Sequence, residues 1–228
     1  MGRARSATLF PELIHCFSET STIKRGIDKQ IIFVHTINIR DFSTNKHKNV
    51  DDYPYGGGPG MVMCIEPIYS AFNHLKLENK KTIYFSPCGR KLTDQLTLEY
   101  SREKNLFLLC GHYEGVDQRV IDNLIDDEIS MGDYILSGGE IPAMAFIDSV
   151  SRKIDGFINQ QSLCEESFST GLLEYSQYTR PRIFNGWEVP EVLLNGHHKQ
   201  IEEWRYQDSV QKTKLKRPDL LPEKQDKI

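Results

Sequence analysis

Short apolar runs alternate along this chain with segments whose apolar residues recur every third or fourth position. Residues 31–38, Ile-Ile-Phe-Val-His-Thr-Ile-Asn, read as a strand, and Thr82–Ser86 and Leu106–Cys110 repeat the pattern, each ended by turn-forming residues. Between them the period lengthens. Ile65, Ile68, Phe72 and Leu75 fall on one helical face, with Pro67 in a first turn, where a missing N–H is tolerated. Leu92–Arg102 and Val116–Ile125 read as further helices. From Ile141, an apolar face through Met144, Ile147, Val150 and Ile154 predicts a longer helix, closed by Asp155-Gly156 as its C-cap. This strand–helix alternation predicts an α/β fold with a parallel sheet.

The texture changes after Gly156. Residues 158–169 are polar and without periodicity, and predict a linker. Beyond them come two proline-marked turns and one helical stretch near Lys199–Lys212. The expected organisation is an α/β domain over 1–157, a linker over 158–169 and a small helical domain over 170–228.

Composition narrows the class. The chain has 228 residues, 39% hydrophobic and 26% charged, the balance of a folded soluble protein rather than a disordered one. No apolar run reaches the length of a membrane span, and Arg3 and Arg5 precede no apolar stretch of the secretory kind. The five cysteines are dispersed with no C-x-x-C, which predicts buried free thiols in a reducing cytoplasm. A formal net charge of −4 means that any nucleic-acid contact must come from local basic clusters. Two are present: Lys46-His47-Lys48, and Lys199, Arg205, Lys212, Lys214, Lys216 and Arg217 near the C-terminus.

Three glycine-bearing segments stand out. Asp51-Asp-Tyr-Pro-Tyr-Gly-Gly-Gly-Pro-Gly-Met61 cannot be a helix or a regular strand. Leu109-Cys-Gly-His-Tyr-Glu-Gly-Val-Asp-Gln-Arg119 reads as a buried strand, a glycine-bounded turn and a helix. Ile129-Ser-Met-Gly-Asp-Tyr-Ile-Leu-Ser-Gly-Gly-Glu-Ile-Pro142 sets glycines just before a helix start at Glu140. Glycines at strand ends and helix starts are how an open α/β sheet makes a ligand crevice. The spacing fits neither G-x-G-x-x-G nor the P-loop, so a Rossmann or P-loop phosphate cradle is not expected.

These three motifs, followed by Tyr178-Thr-Arg-Pro181, occur in the order found in the bacterial tRNA (guanine-N1)-methyltransferases, and the likeness runs from about Leu9 to Leu221. The resemblance implies the SPOUT fold, with a deep trefoil knot at about residues 84–142. It implies methyl transfer from S-adenosylmethionine to N1 of guanosine 37, just 3′ of the tRNA anticodon. It also implies a homodimer whose active sites are shared between subunits, and a requirement for Mg2+. By matching, the cofactor lies among Ser86, Pro87, Gly111, Tyr113, Glu114, Met131, Gly132, Asp133, Tyr134, Ile135, Leu136, Gly138, Gly139 and Pro142. Asp133 and Glu114 are candidates for holding the donor's ammonium group or a magnesium ion. The opening departs from the family: its first strand is apolar, whereas Met1-Gly-Arg-Ala-Arg-Ser6 is not, which leaves the first strand and the true start of the chain open.

The chemistry asks for particular groups. Guanine N1 carries a proton, which a positioned carboxylate can take as general base. Negative charge then develops toward O6, which an arginine can stabilise. The family's base is an aspartate in an acidic segment that matches Glu165-Glu-Ser-Phe168, which puts Glu166 in its place with one extra methylene. The family's arginine matches Arg152. Taken alone, Glu165-Glu166 would be a solvated pair and Arg152 a helix-end cation serving the macrodipole. His112 reads as a hydrogen-bonding loop residue rather than a catalyst, and His197-His198 lacks the further ligands a metal site needs. Two alternatives stay open: another SPOUT RNA methyltransferase, or a catalytically dead RNA-binding homologue.

Overall fold

The computed structural model describes residues 2–75, 79–159 and 165–221. The chain divides into two units, Met1–Ile158 and Asn159–Ile228. The first is built on a five-stranded parallel sheet of β1 (Gly2–Thr8), β2 (Ile32–Asn38), β5 (Lys80–Lys91), β6 (Asn105–Leu109) and β7 (Asp127–Ser130), in the order β2-β1-β6-β5-β7. A short antiparallel pair, β3 (Asp51–Asp52) and β4 (Val62–Met63), brackets the tyrosine–glycine loop. The helices of this unit are α1 (Pro11–Ser18), α2 (Ser21–Asp28), α3 (Ile65–His74), α4 (Asp94–Tyr100), α5 (Gln118–Leu124) and α6 (Glu140–Arg152).

Both faces of the sheet are covered, as parallel strands require. Successive side chains of a strand point to opposite faces, and β6 shows it: Leu106 and Leu108 enter one apolar core, Phe107 and Leu109 the other. The first core takes Ile14, Ile23, Leu96 and Phe146 from α1, α2, α4 and α6. The second takes Ile68 and Val120 from α3 and α5. The thiol of Cys110, buried just past β6, is pushed well above its ordinary pKa by burial and by the Glu140 carboxylate, so it is inert.

Several expectations change. The polar opening does form a strand. β1 sits between β2 and β6 and pairs with both, so its backbone is held whatever its side chains, and its buried end uses the small residues Ser6, Ala7 and Thr8. The strand expected over Thr82–Ser86 runs on to Lys91, which shortens the helix expected from Leu92 to Asp94–Tyr100. α6 starts at Glu140 and ends at Arg152, capped by Lys153; Gly156, with φ +82°, serves a later turn that turns Phe157 onto the core. The thiols are not uniformly buried: Cys110 is, Cys64 is half-buried, Cys16 and Cys88 are exposed, and Cys164 lies outside the described residues. Part of the expected linker, 160–164, also lies outside them, while Ile158 packs on the first core and Glu165–Ser169 form turns. Among the described residues no helix is long and apolar enough to cross a membrane.

The second unit holds a hairpin of β8 (Ile183–Phe184) and β9 (Trp187–Glu188), then α7 (His198–Lys216), longer than the helix expected near Lys199–Lys212. Leu173 N donates to Thr213 Oγ1 at 2.8 Å and Ser176 N to Asp208 Oδ2 at 2.6 Å, which ties the preceding segment to α7.

One feature of β5 shapes the functional end of the sheet. Phe85 and Arg90 both pair with Ile129, so residues 86–89 leave the ladder and arch out. Asp127 stitches the two halves of β5 together. Tyr100 donates to its Oδ2 at 2.7 Å, Lys81 Nζ lies 3.2 Å away, and Arg90 reaches Oδ1 at 3.2 Å. Burial alone would raise the Asp127 pKa, but the hydrogen bonds from Tyr100 and Lys81 and the charges of Lys81 and Arg90 outweigh it and hold it low. The resulting stabilisation is present above about pH 3.9, the unfolded aspartate value, and fades as pH falls towards the lower folded value. Asp127→Asn should therefore cost about 1 kcal/mol at pH 7, for a hydrogen-bonded pair partly open to water. The gap to wild type should narrow below about pH 4. Thermal unfolding at both pH values checks this, and a pH-independent gap would overturn it.

Candidate functional site

At the carboxyl ends of β5, β6 and β7 lies a cleft of about 340 Å3. This is where an open α/β sheet offers crevices, and the size suits a small organic cofactor. Three loops make it. Ser86 and Pro87 come from the β5 arch, Gly111–Gly115 from the turn after β6, and Met131–Gly139 with Pro142 from the passage between β7 and α6. All of the cofactor positions expected from sequence line it except Asp133. The Asp133 side chain is 88% exposed and pairs with Lys91 at 3.1 Å, outside the wall. Tyr84, Phe85, His112, Gly115, Ile129, Ser130 and Ser137 complete the lining; of these only Tyr84 and Phe85 lie outside the glycine-bearing motifs.

Two glycines set the shape of the inner wall. Gly139 N donates to Gly111 O at 2.9 Å, and a Cβ on Gly139 would lie 2.6 Å from Cys110 Cα, so backbone meets backbone here. A Cβ on Gly138 would run into the His112 ring and lie 2.8 Å from Glu140 Oε2. The Ser86 hydroxyl is engaged: it donates to Glu128 Oε2 at 2.7 Å and accepts from Cys88 N at 3.1 Å, which holds the arch in place. Apolar Pro87, Leu136 and Pro142 offer flat contact, backbone groups of the glycine turns offer hydrogen bonds, and Glu114 supplies a carboxylate.

The tyrosine–glycine loop is tied to this cleft. Glu114 N donates to Met61 O at 3.0 Å, Met63 N to Gly115 O at 2.9 Å and Asp117 N to Met63 O at 3.1 Å. A Cβ on Gly60 would strike the Glu114 side chain, so that glycine lets the loop lie against a cleft residue. Tyr53 and Tyr55 stand out from it, exposed.

The two expected catalytic residues are not part of this wall. Arg152 ends α6, twelve residues after Glu140, so it lies about 18 Å along the helix axis from the end that meets the cleft. Glu166 belongs to the second unit, where its carbonyl accepts from Ser169 N at 3.2 Å. The neighbouring Glu165 is engaged with the Tyr175 hydroxyl at 2.5 Å and Arg205 at 3.7 Å. Of the C-terminal basic residues, Arg205 also stacks 4.5 Å from the Tyr175 ring, Lys212 donates to Glu174 O at 2.8 Å, and Arg217 pairs with Asp219 at 2.7 Å. Lys199, Lys214 and Lys216 are exposed. Among the described residues no three His, Cys, Asp or Glu side chains converge on a point.

Comparison with known proteins points one way. Residues 3–223 match the family model described as "tRNA (Guanine-1)-methyltransferase TrmD". The chain is 51% identical over 225 residues to a tRNA (guanine-N(1)-)-methyltransferase of Clostridioides difficile, covering 96% of this chain and 97% of that protein. A protein of the same name from Caldanaerobacter subterraneus is 54% identical over 216 residues, 94% of this chain and 89% of its own. One from Borrelia duttonii is 53% identical over 215 residues, 93% and 90%.

The glycine wall carries a direct test. Gly138→Val should abolish S-adenosylmethionine binding while circular dichroism stays native, because the added bulk enters space that the ring of His112 already bounds. Calorimetric titration showing wild-type affinity in that variant would sink the placement of the cofactor.

Proposed function

The chain belongs to the tRNA (Guanine-1)-methyltransferase family, and from that premise we propose that it transfers the methyl group of S-adenosylmethionine to N1 of guanosine 37 in tRNA. The observation that carries this reading is the cleft itself: the loops that bear the family's motifs converge on one crevice at the carboxyl edge of the sheet. In this reading Glu114 faces the donor's ammonium group, and the flat apolar residues and glycine backbone hold its adenosine. The knotted SPOUT arrangement is part of the reading, and the backbone contact of Gly139 on Cys110 is of the kind a tightly drawn loop crossing demands.

The reaction is a displacement. As the guanine N1–H proton passes to the Glu166 carboxylate, N1 attacks the sulfonium methyl, the N1–C bond forms and the C–S bond breaks. The electron pair leaves with sulfur, and S-adenosylhomocysteine departs neutral at that atom. Arg152 offsets the negative charge that builds toward O6 of the base. Orientation of the two substrates does much of the work.

The proposal extends to a homodimer in which the cleft of one subunit meets Glu166 of the other. Arg152 sits at the opposite end of α6 from the cleft, which supports a site completed across subunits. Tyr134, Ile135 and Ile141, exposed near the cleft mouth, give apolar surface that a second copy would cover. Exposed Lys199, Lys214 and Lys216, with Lys46 and His47, supply phosphate contacts for tRNA in this reading. Methylation of an RNA made in the cytoplasm places the enzyme there.

The activity is tested on transcribed tRNA. Methyl transfer should occur with guanosine at position 37 and vanish when that base is adenosine; label elsewhere in the RNA would overturn the substrate, and none at all the activity. Glu166→Gln should lower the single-turnover rate about a hundredfold or more, the range of general-base catalysis, with cofactor affinity nearly unchanged. Full activity in that variant across pH would move the base elsewhere.

Sharing of the site has its own test. Glu166→Gln and Gly138→Val subunits, each inactive alone, should regain about one working site per heterodimer when mixed. Sedimentation as a monomer, or no recovery on mixing, would refute the shared site.

A further inference from the structure

One carboxylate joins two of the segments that make the cleft to the end of β1. Glu140, the first residue of α6, is 2% exposed. One of its oxygens accepts the hydroxyl of Thr8, the fully buried last residue of β1. The other lies 2.7 Å from Nε2 of His112, in the turn after β6. Thr8 Oγ1 in turn accepts from Phe10 N at 2.9 Å, and the Phe10 ring meets the His112 ring edge-on at 4.9 Å. A carboxylate taken out of water is costly unless its lone pairs are used. Here Thr8 and His112 use them, and the helix N-terminus favours the charge.

The consequence lies one residue before the helix. The His112 ring rests against Gly138, where a Cβ would collide with it. A free imidazole could swing aside, but this one is held by Glu140 on one side and packed by Phe10 on another. The ring therefore sets how close the Gly138 turn can come, and both residues line the cleft.

We propose that His112 and Glu140 form a positioning pair for the methyl donor, in which the carboxylate fixes the ring and the ring fixes the Gly138 wall against which the donor lies. The proposal rests on the reading of this cleft as the S-adenosylmethionine site. Neither residue touches the reacting atoms; both act through Gly138. Thr8 anchors the same carboxylate to the sheet.

The requirement on residue 112 is specific. It must place a donor where Nε2 is and fill the space over Gly138. Glutamine can set its amide nitrogen near that point, alanine supplies neither bulk nor donor, and phenylalanine supplies bulk alone.

The test uses the full-length protein, S-adenosylmethionine and transcribed tRNA. His112→Ala should raise the donor's Kd and KM about tenfold, the usual scale of coupling between contacting residues. The kcat at saturating donor and the Kd for tRNA should stay within about twofold, and His112→Gln should return the donor's Kd to within about threefold of wild type. Gly138→Ala should weaken donor binding in the wild-type background and much less in the His112→Ala background, because the ring it strikes is gone. Should His112→Ala fail to fold, His112→Phe, which keeps the bulk, should show the same loss of donor affinity. Wild-type donor affinity in His112→Ala or His112→Phe, or a His112→Gln as weak as alanine, would overturn the pair. If wild type itself binds no S-adenosylmethionine, the cleft reading falls with it; if wild type binds and Gly138→Val does not, only the positioning pair is at stake.

Discussion

The functional end of this protein depends on one backbone contact, that of Gly139 on Cys110 and Gly111. It brings the passage from β7 into α6 against the end of β6 at a separation that any side chain would prevent. Three things follow from it. α6 begins there, with Gly139 as its N-cap, so the helix is aimed along the face of the sheet that Phe146 and Ile147 cover. Glu140 is delivered to a buried position next to Thr8 and His112, the donors that make its burial tolerable. Gly138 and Pro142, on either side of that start, become the wall of the cleft.

The opposite wall is held by a different device. The β5 arch at residues 86–89 would be a loose excursion if its two ends could separate. Asp127 prevents this by bonding Lys81 before the arch and Arg90 after it, with Tyr100 of α4 as a third partner. Burial and the bond to Asp127 push the Tyr100 phenol up, so it stays a donor throughout the physiological range. The Ser86 bond to Glu128 then sets the arch against β7. Polar groups on the strands thus position a loop whose own residues, Pro87 and Gly89 among them, could not do so.

How much of this was legible in the sequence follows from the range of the forces involved. β6 and α3 were readable because double burial writes a strong apolar period into Leu106–Leu109 and Ile65–Phe72. β1 was not, because its place depends on backbone bonds to two neighbours rather than on apolar side chains. α2 escaped notice for a related reason: Gly26 interrupts its apolar period, and that glycine makes room for Phe157, whose ring a Cβ there would strike. The β8–β9 hairpin carried a local signal in Asn185-Gly186, whose positive φ values match a primed turn, but its flanking residues are exposed and alternate with nothing. The cleft was legible through its glycines. The Thr8–Glu140–His112 contacts were not, since they join positions 132 and 28 residues apart.

The same distribution of charge bears on where the base must come from. Among the described residues that line the cleft, Glu114 alone carries a carboxylate. The nearby Glu140 and Glu128 are committed to Thr8, His112 and Ser86. In the proposed reading the donor's ammonium group pairs with Glu114 in turn. In that reading no other carboxylate remains in the wall to take a proton from guanine. In the proposed reading the cleft binds and orients the donor, and the proton-accepting carboxylate comes from another segment. Glu165 is already engaged by the Tyr175 hydroxyl and by Arg205. Glu166, next to it and matched in sequence to the family's acid, is the carboxylate we propose for that task.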